Sequence, residues 1–434
     1  MTLASPPGWK LHRLGQLFRE RKEKGSDKEF PPLSVTMGGI VPQLETAAKS
    51  DDGDNRKVVR IGDYVINSRS DRKGSGGISD HDGSVSLISI VLEPRKIEPR
   101  YAHHLLRSPA FQEEFYRWGH GIVADLWTTR YADMKNIRLV VPDLATQRQI
   151  ADFLDRETAR IDLLIEKKQR LVALLGEKLR SSITDALSKG VLASVAMKET
   201  GLIWLPEVPA HWTVQPLRTM IWYQEGPGIL AEDFHDEGVP LLRIKGLGGR
   251  YATLDGCNYL DPEKVLKRWK HFRVEAGDYL ISASATTGGI ATKVTEETVG
   301  AVPYTGIIRI KPRSGGYVHD IIPMFLLSTL FEEQITLLSA GSTIQHFGPS
   351  HLSRMKAPLP PEQEQLEIAK HLSAVSERTE QTTAAINASI FRLKEYRSTL
   401  ITAAVTGQID VQTYARSGAT DRRLDTIEEK MQTL

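Results

Sequence analysis

Two stretches of this chain, Gln147 to Lys189 and Gln363 to Thr406, contain no proline, and a single glycine, Gly176, interrupts them. Proline removes a backbone donor and clashes with the preceding turn, so runs of this length are open to continuous helix. At 1.5 Å per residue each would form a rod of about 65 Å. Their apolar residues keep helical steps. In the second stretch Leu372, Thr379, Ile386, Leu393 and Leu400 stand seven apart, flanked by Ala369, Thr383, Ile390 and Ala404. In the first, Ile150, Leu154, Ile161, Leu164, Leu171, Leu175 and Ile183 keep three-, four- and seven-residue steps. A seam of this kind asks for a partner helix, most simply the other stretch of the same chain, which predicts a coiled coil. The alternative is two amphipathic helices, each packed on its own domain. Pro142 and Pro360-Pro361 precede the two starts, and Gly190 and Gly407 close them, as helix punctuation should.

The rods belong to an internal duplication. Trp9 followed by Leu14 returns as Trp212 followed by Leu217; Gly62-Asp63-Tyr64-Val65-Ile66 returns as Gly277-Asp278-Tyr279-Leu280-Ile281. Gly76-Gly77-Ile78 returns as Gly288-Gly289-Ile290, Pro94-Arg95 as Pro312-Arg313, and Met134-Lys135 as Met355-Lys356. Gln147, Ile150-Ala151 and Leu154 return as Gln365, Ile368-Ala369 and Leu372. Each match alone is weak, but the shared order marks a repeat. The part before each rod is rich in Gly and Pro, with short β-type runs such as Tyr64 to Ile66, Val85 to Leu92 and Gly306 to Ile310. The predicted fold is α+β: two globular domains, mixed or mainly β, separated and joined by two long antiparallel helices that form a coiled coil, with an internal pseudo-twofold repeat. The expected divisions are a first domain at 1–146, a helix at 147–190, a linker and second domain at 191–362, a helix at 363–407 and a tail at 408–434.

Composition narrows the function classes. The 434 residues carry 56 Lys+Arg against 54 Asp+Glu and are 40% hydrophobic, a globular profile. No apolar run approaches the 20 or so residues of a membrane span, so no membrane partner is expected. Met1 to Trp9 lacks the basic and apolar regions of an export signal, and the one cysteine, Cys257, excludes an internal disulfide framework; a cytoplasmic location fits. The motifs of several enzyme classes are missing: the P-loop, Asn-Pro-Pro-Tyr/Phe, His-Glu-x-x-His and Gly-x-Ser-x-Gly. Pro142-Asp143 has no following Glu-x-Lys and reads as a helix entry rather than a nuclease centre. His103-His104 has no supporting carboxylate or Cys cluster, so no metal site is expected.

Three segments carry a resemblance. Gln147-Arg148-Gln149-Ile150-Ala151-Asp152-Phe153-Leu154-Asp155, with Thr158 and Ile161-Asp162, is similar to the central conserved region of specificity subunits of type I restriction–modification enzymes. So is the run from Met197-Lys198-Glu199-Thr200-Gly201 through Trp204 and Pro209 to His211-Trp212. Pro361-Glu362-Gln363-Glu364-Gln365, ending at Thr406-Gly407-Gln408-Ile409-Asp410, resembles that family's distal conserved region. The resemblance implies a non-catalytic chain with two target recognition domains, each docking on one half of a split, asymmetric DNA site. It also implies helices that hold those domains at a fixed separation and dock two methyltransferase subunits, with motor–nuclease subunits joining the full complex. A stiff spacer makes half-site separation a geometric constant. No cofactor is expected in this chain; S-adenosylmethionine, ATP and Mg belong to the partner subunits by the same resemblance. The rival readings are a stand-alone DNA-modifying enzyme with an unfamiliar centre and a structural adaptor with no DNA role.

Candidate DNA-facing residues lie in the glycine-bearing loops after the two Gly-Asp-Tyr strands: Asn67, Ser68, Arg69, Arg72 and Lys73 in the first half, and Ser282, Ser284, Thr286 and Thr287 in the second. Short hydroxyls and amides bond phosphates or base edges, and arginine pairs bidentately with guanine. A second set precedes each rod: Thr128 and Arg130 beside Trp127, and Ser342, Thr343 and Gln345. A third is Arg243 and Lys245, which strand alternation would place on one face. The charge balance tempers the expectation of strong binding. Residues 1–146 hold 22 basic against 19 acidic side chains and residues 191–362 hold 16 against 18, less basic than most nucleic-acid modules. Weak DNA binding by the lone chain is therefore expected, with stronger, salt-sensitive binding once partners add phosphate contacts.

Overall fold

The computed structural model describes residues 6–45, 53–121, 127–192, 195–283, 291–339 and 347–432. The chain divides into two compact units, 1–170 with 384–434, and 171–383. The first long helix, Leu144–Lys189, begins in the first unit and ends in the second; the second, Glu362–Val405, passes the other way. Each unit therefore holds the start of one rod with the end of the other, the order that antiparallel helices produce.

In the first unit a four-stranded antiparallel sheet runs Phe18–Glu20, Ser89–Pro94, Tyr64–Asn67, Gly76–Ile78. Lys10–Arg13 pairs with Arg138–Val141, so the strand that opens the domain is clamped to the strand that leads into the rod. The second unit has the same plan: Ile221–Glu225, Ile307–Pro312, Tyr279–Ser282, Thr292–Lys293, with Thr213–Pro216 paired to Lys356–Leu359. Each unit adds a smaller three-stranded sheet. In the first unit all its strands pair antiparallel; in the second, Val239–Leu242 runs parallel to Val302–Pro303.

The repeat extends to single bonds. Gln147 accepts the Glu98 amide at 2.8 Å and donates to the Pro142 carbonyl at 2.8 Å; Gln365 accepts the Val318 amide at 2.8 Å and donates to the Pro360 carbonyl at 3.0 Å. Asp63 bonds the Arg60 amide and the Arg21 guanidinium, while Asp278 bonds the Glu275 amide and the Arg309 guanidinium. The glycines that end the rods, Gly190 at φ 78° and Gly407 at φ 71°, sit in the left-handed conformation that a side chain resists. A Cβ on Gly190 would press on Trp212, and one on Gly407 on Pro6 and Trp9. Each duplicated tryptophan thus packs against the end of a rod within its own unit.

In the first unit the buried row of the first rod is Ile150, Leu154, Thr158, Ile161, Ile165 and Lys168, and the second rod buries Ile386, Ile390, Leu393 and Leu400. An Asp162–Arg397 ion pair at 2.9 Å ties the two rods. In the second unit Ile183, Ala186 and Leu187 share one apolar cluster with Ile368, Ala369 and Leu372. Three positions of the expected seam differ, Leu175 among them, which is half-buried. Leu164 is only half-buried and Leu171 is 44% exposed. The row passes instead through Ile165 and Lys168, because a lysine occupies a seam position and the neighbouring leucines mimic the spacing. Lys168 is buried against the tail, where it pairs with Glu428 at 2.8 Å. That tail is helical, Val411–Arg416 and Ala419–Gln432, and buries Leu424 and Ile427 in the first unit.

Among the described residues no single helix is long and apolar enough to cross a membrane. The bent pair Ile321–Leu327 and Thr329–Leu338 passes on length and composition. Its Ile321, Ile322, Phe325, Leu330 and Phe331 fill the core of the second unit.

Candidate nucleic-acid interface

In the first unit the strand Tyr64–Asn67 delivers the chain into a short 3-10 turn, Ser70–Arg72. Asn67 and Ser68, expected to face DNA, are 8% and 4% exposed. The Asn67 carboxamide oxygen accepts the Arg69 amide at 3.0 Å, and the Ser68 carbonyl accepts the Thr129 amide at 3.0 Å. Both residues are buried and leave the loop's surface to others, Asn67 holding the turn through its carboxamide and Ser68 through its backbone carbonyl. Arg69 and Arg72 stand exposed. The Lys73 ammonium pairs with Glu113 and lies over the Tyr116 ring at 5.6 Å.

The pre-rod segment comes to the same place. The Ser70 amide donates to the Trp127 carbonyl at 2.9 Å, Arg69 and Thr128 form an isolated antiparallel bridge, and Thr128 bridges His120 on its other side. Trp127 is 38% exposed, whereas Thr129 is fully buried and bonds the Phe115 carbonyl at 2.9 Å. Arg130 is exposed just before the short helix Tyr131–Met134. Two segments some 60 residues apart in sequence thereby present Arg69, Arg72, Trp127 and Arg130 from one small bridged platform.

The second unit repeats the join. The Phe347 amide donates to the Ala283 carbonyl at 3.1 Å, at the positions that correspond to Thr129 and Ser68. Ser282 ends its strand half-buried. Ser284, Thr286, Thr287, Ser342, Thr343 and Gln345 lie outside the described residues.

Arg243 and Lys245 do not share a strand face. The strand ends at Leu242 and a 3-10 turn, Ile244–Leu247, begins immediately, so alternation stops before either cation. The Arg243 guanidinium stacks on the Tyr304 ring at 4.0 Å and reaches Phe234 at 5.6 Å; its Nη1 is buried without a hydrogen-bond partner among the described residues. Lys245 is exposed.

The remaining titratable groups read as structure. Asp143 caps the first rod through the Ala145 and Thr146 amides, and the bonds from Thr146 hold its carboxyl below the usual range. His104 pairs with Asp155 at 2.7 Å. His103 accepts the Ile78 amide at 3.3 Å, and burial drives its imidazole down to about 3. Among the described residues no group of three His, Cys, Asp or Glu side chains is placed to hold a metal. Sequence reasoning missed Gln147 and Gln365 as latches and Lys168 as a seam residue. The repetition of the glutamines was the available signal.

The fold defines a doubled protein, with the same sheet plan and a matched loop junction in each unit. Residues 212–392 match the family described as the type I restriction modification DNA specificity domain. The chain is 23% identical over 392 residues to the type I restriction enzyme MjaVIII specificity subunit of Methanocaldococcus jannaschii, covering 86% of this chain and 87% of that protein. It is 24% identical over 360 residues to the putative MjaX specificity subunit of the same organism, covering 80% and 78%. A chain solved in work on complex assembly and conformational transition of the type I R-M system shares the fold, with a TM-score of 0.61 at 19% identity over 94% of this chain and 100% of that one. Over most of its length the chain is thus similar to specificity subunits of type I restriction–modification enzymes.

Proposed function

We propose that the chain reads DNA sequence for a type I restriction–modification complex and has no catalytic step of its own. Each unit recognises one part of a two-part, asymmetric duplex site, and the two continuous helices fix the spacer between those parts. The observation that carries this reading is the duplicated junction: Thr129 to Ser68 in one unit and Phe347 to Ala283 in the other. The same backbone bond pins two glycine-bearing loops together at corresponding places, while the residues around the bonds differ. A conserved frame with differing side chains is what recognition of two unlike half-sites requires.

The helices also serve as docking surface for two methyltransferase subunits, with motor–nuclease subunits joining through them. Exposed apolar side chains on the rods support this: Leu163 and Phe391 in the first unit, Leu171, Leu174 and Leu366 in the second. S-adenosylmethionine, ATP and Mg are assigned to those partners, and the complex to the cytoplasm. Mapping methylated adenines genome-wide in cells with and without this chain tests the proposal. A bipartite motif modified only in its presence is expected; an unchanged methylation map would refute it.

A further inference from the structure

The second rod and the helical tail of the first unit line an open cavity of about 650 Å³, apart from the loop platform described above. Its volume falls in the range of small-molecule sites, about 300–1,000 Å³. Three guanidinium groups line it, Arg392 from the rod and Arg422 and Arg423 from the tail helix, against one carboxylate, Glu395. The net charge of the lining is thus +2. Arg392 Nη1 is buried with no hydrogen-bond partner among the described residues. A buried guanidinium nitrogen without an acceptor is costly, and an acceptor oxygen admitted by a small side-chain shift would relieve it. Arg422 spends one nitrogen on the Ser417 carbonyl. Arg423 makes no ion pair among the described residues and is exposed at the rim.

The rest of the lining suits a particular anion. Ala419, in the first turn of the 14-residue tail helix, lines the cavity, so the positive end of that helix adds to the field. Asp421 in the same turn is paired with Arg160 and does not line the cavity. Thr399 supplies a hydroxyl, that of Thr426 being donated to the Arg422 carbonyl at 2.8 Å, while Tyr396 and Tyr414, whose phenols meet at 3.3 Å, form an aromatic wall. A phosphate monoester carries a charge of about −1.5 to −2 at neutral pH and three acceptor oxygens. We propose that this cavity binds a phosphate group, held by Arg392, Arg422 and Arg423, with the tyrosine wall receiving the body of the ligand. The inference is independent of the DNA-reading proposal.

Titration calorimetry of the full-length chain with inorganic phosphate, adenosine 5′-monophosphate, adenosine and a short duplex of random sequence tests it. Inorganic phosphate and the monophosphate are expected to bind, and adenosine is not. Arg392→Gln and, separately, the rim variant Arg423→Gln should each weaken phosphate binding by about tenfold or more, the worth of a charge-assisted bond. Arg423→Gln, at an exposed position, guards against a folding defect in the other variant. If only the duplex binds, and both variants weaken it, the phosphate chemistry holds and its source is the nucleic-acid backbone. Failure of every phosphate-bearing probe, or equal binding by wild type and both variants, overturns the proposal.

Discussion

Replacing Gln365 by alanine removes one side chain that holds two backbone groups at the root of the second rod. Gln365 is 2% exposed, accepts the Val318 amide at 2.8 Å and donates to the Pro360 carbonyl at 3.0 Å. Truncation leaves one buried N–H and one buried C=O without partners, each costing about 1–3 kcal/mol. Together they cost about 2–6 kcal/mol, with the lower end applying if water enters. Hydrogen exchange read at the Val318 amide reports the loss locally, which matters because two units need not unfold in one step. A loss of about 2 kcal/mol accelerates that exchange by about 30-fold. Gln147→Ala should produce a matching effect at the Glu98 amide and leave Val318 unchanged. Exchange at Val318 within about twofold of wild type in Gln365→Ala would refute the latch. A Gln147→Ala effect on Val318 as large as that on Glu98 would refute the modularity.

Other consequences follow from the same geometry. Burial first, then the positive charge of Arg107, depresses His103 from 6.5 to about 3; between those values the unfolded chain binds a proton that the fold refuses. Stability therefore falls as pH drops through that window, and His103→Gln should flatten part of the slope in urea melts; parallel profiles would count against it. Deleting 419–434 removes the burial of Leu424 and Ile427, at about 1.5–3 kcal/mol each as an upper bound, and strips Lys168 of Glu428. Denaturant midpoints should fall clearly, and an unchanged midpoint would show the tail to be dispensable. Arg69→Ala and Arg130→Ala should each weaken cognate binding by the partner-loaded complex by about 1–3 kcal/mol, or lower its salt slope by about one if the contact is to phosphate. Unaltered affinity and slope in both variants would remove the platform from the interface. Across a salt series the lone chain should bind DNA more weakly than the methyltransferase complex; full affinity for the lone chain contradicts this.

The α+β plan with two rods was legible because proline and glycine leave marks that side-chain chemistry does not blur. Gly190 and Gly407 are needed for their positive φ, and the rods needed the absence of proline. The seam was less legible. Lys168 lies in a buried row because Glu428, far along the chain, neutralises it, and a pattern built on apolar residues steps around it to Leu164 and Leu171. The candidate surface was visible as two loops and hidden as one platform, since the Ser68–Thr129 bond is a tertiary event with no local signature. Asn67 and Ser68 were drawn in by residue type, although the turn uses the Asn67 carboxamide for itself and buries Ser68. Arg243 shows the same limit: strand alternation ends at Leu242, one residue too early to apply.

That each unit reads its own part of the DNA site is the proposal on which the rest depends. Its most direct measurement exchanges residues 212–359 for the matching segment of a relative with a different specificity, then selects bound sequences from random duplexes with the partner-loaded complex. One half of the recovered motif should change while the other half and the spacer stay as they were. A motif altered in both halves, or no two-part motif at all, would contradict it.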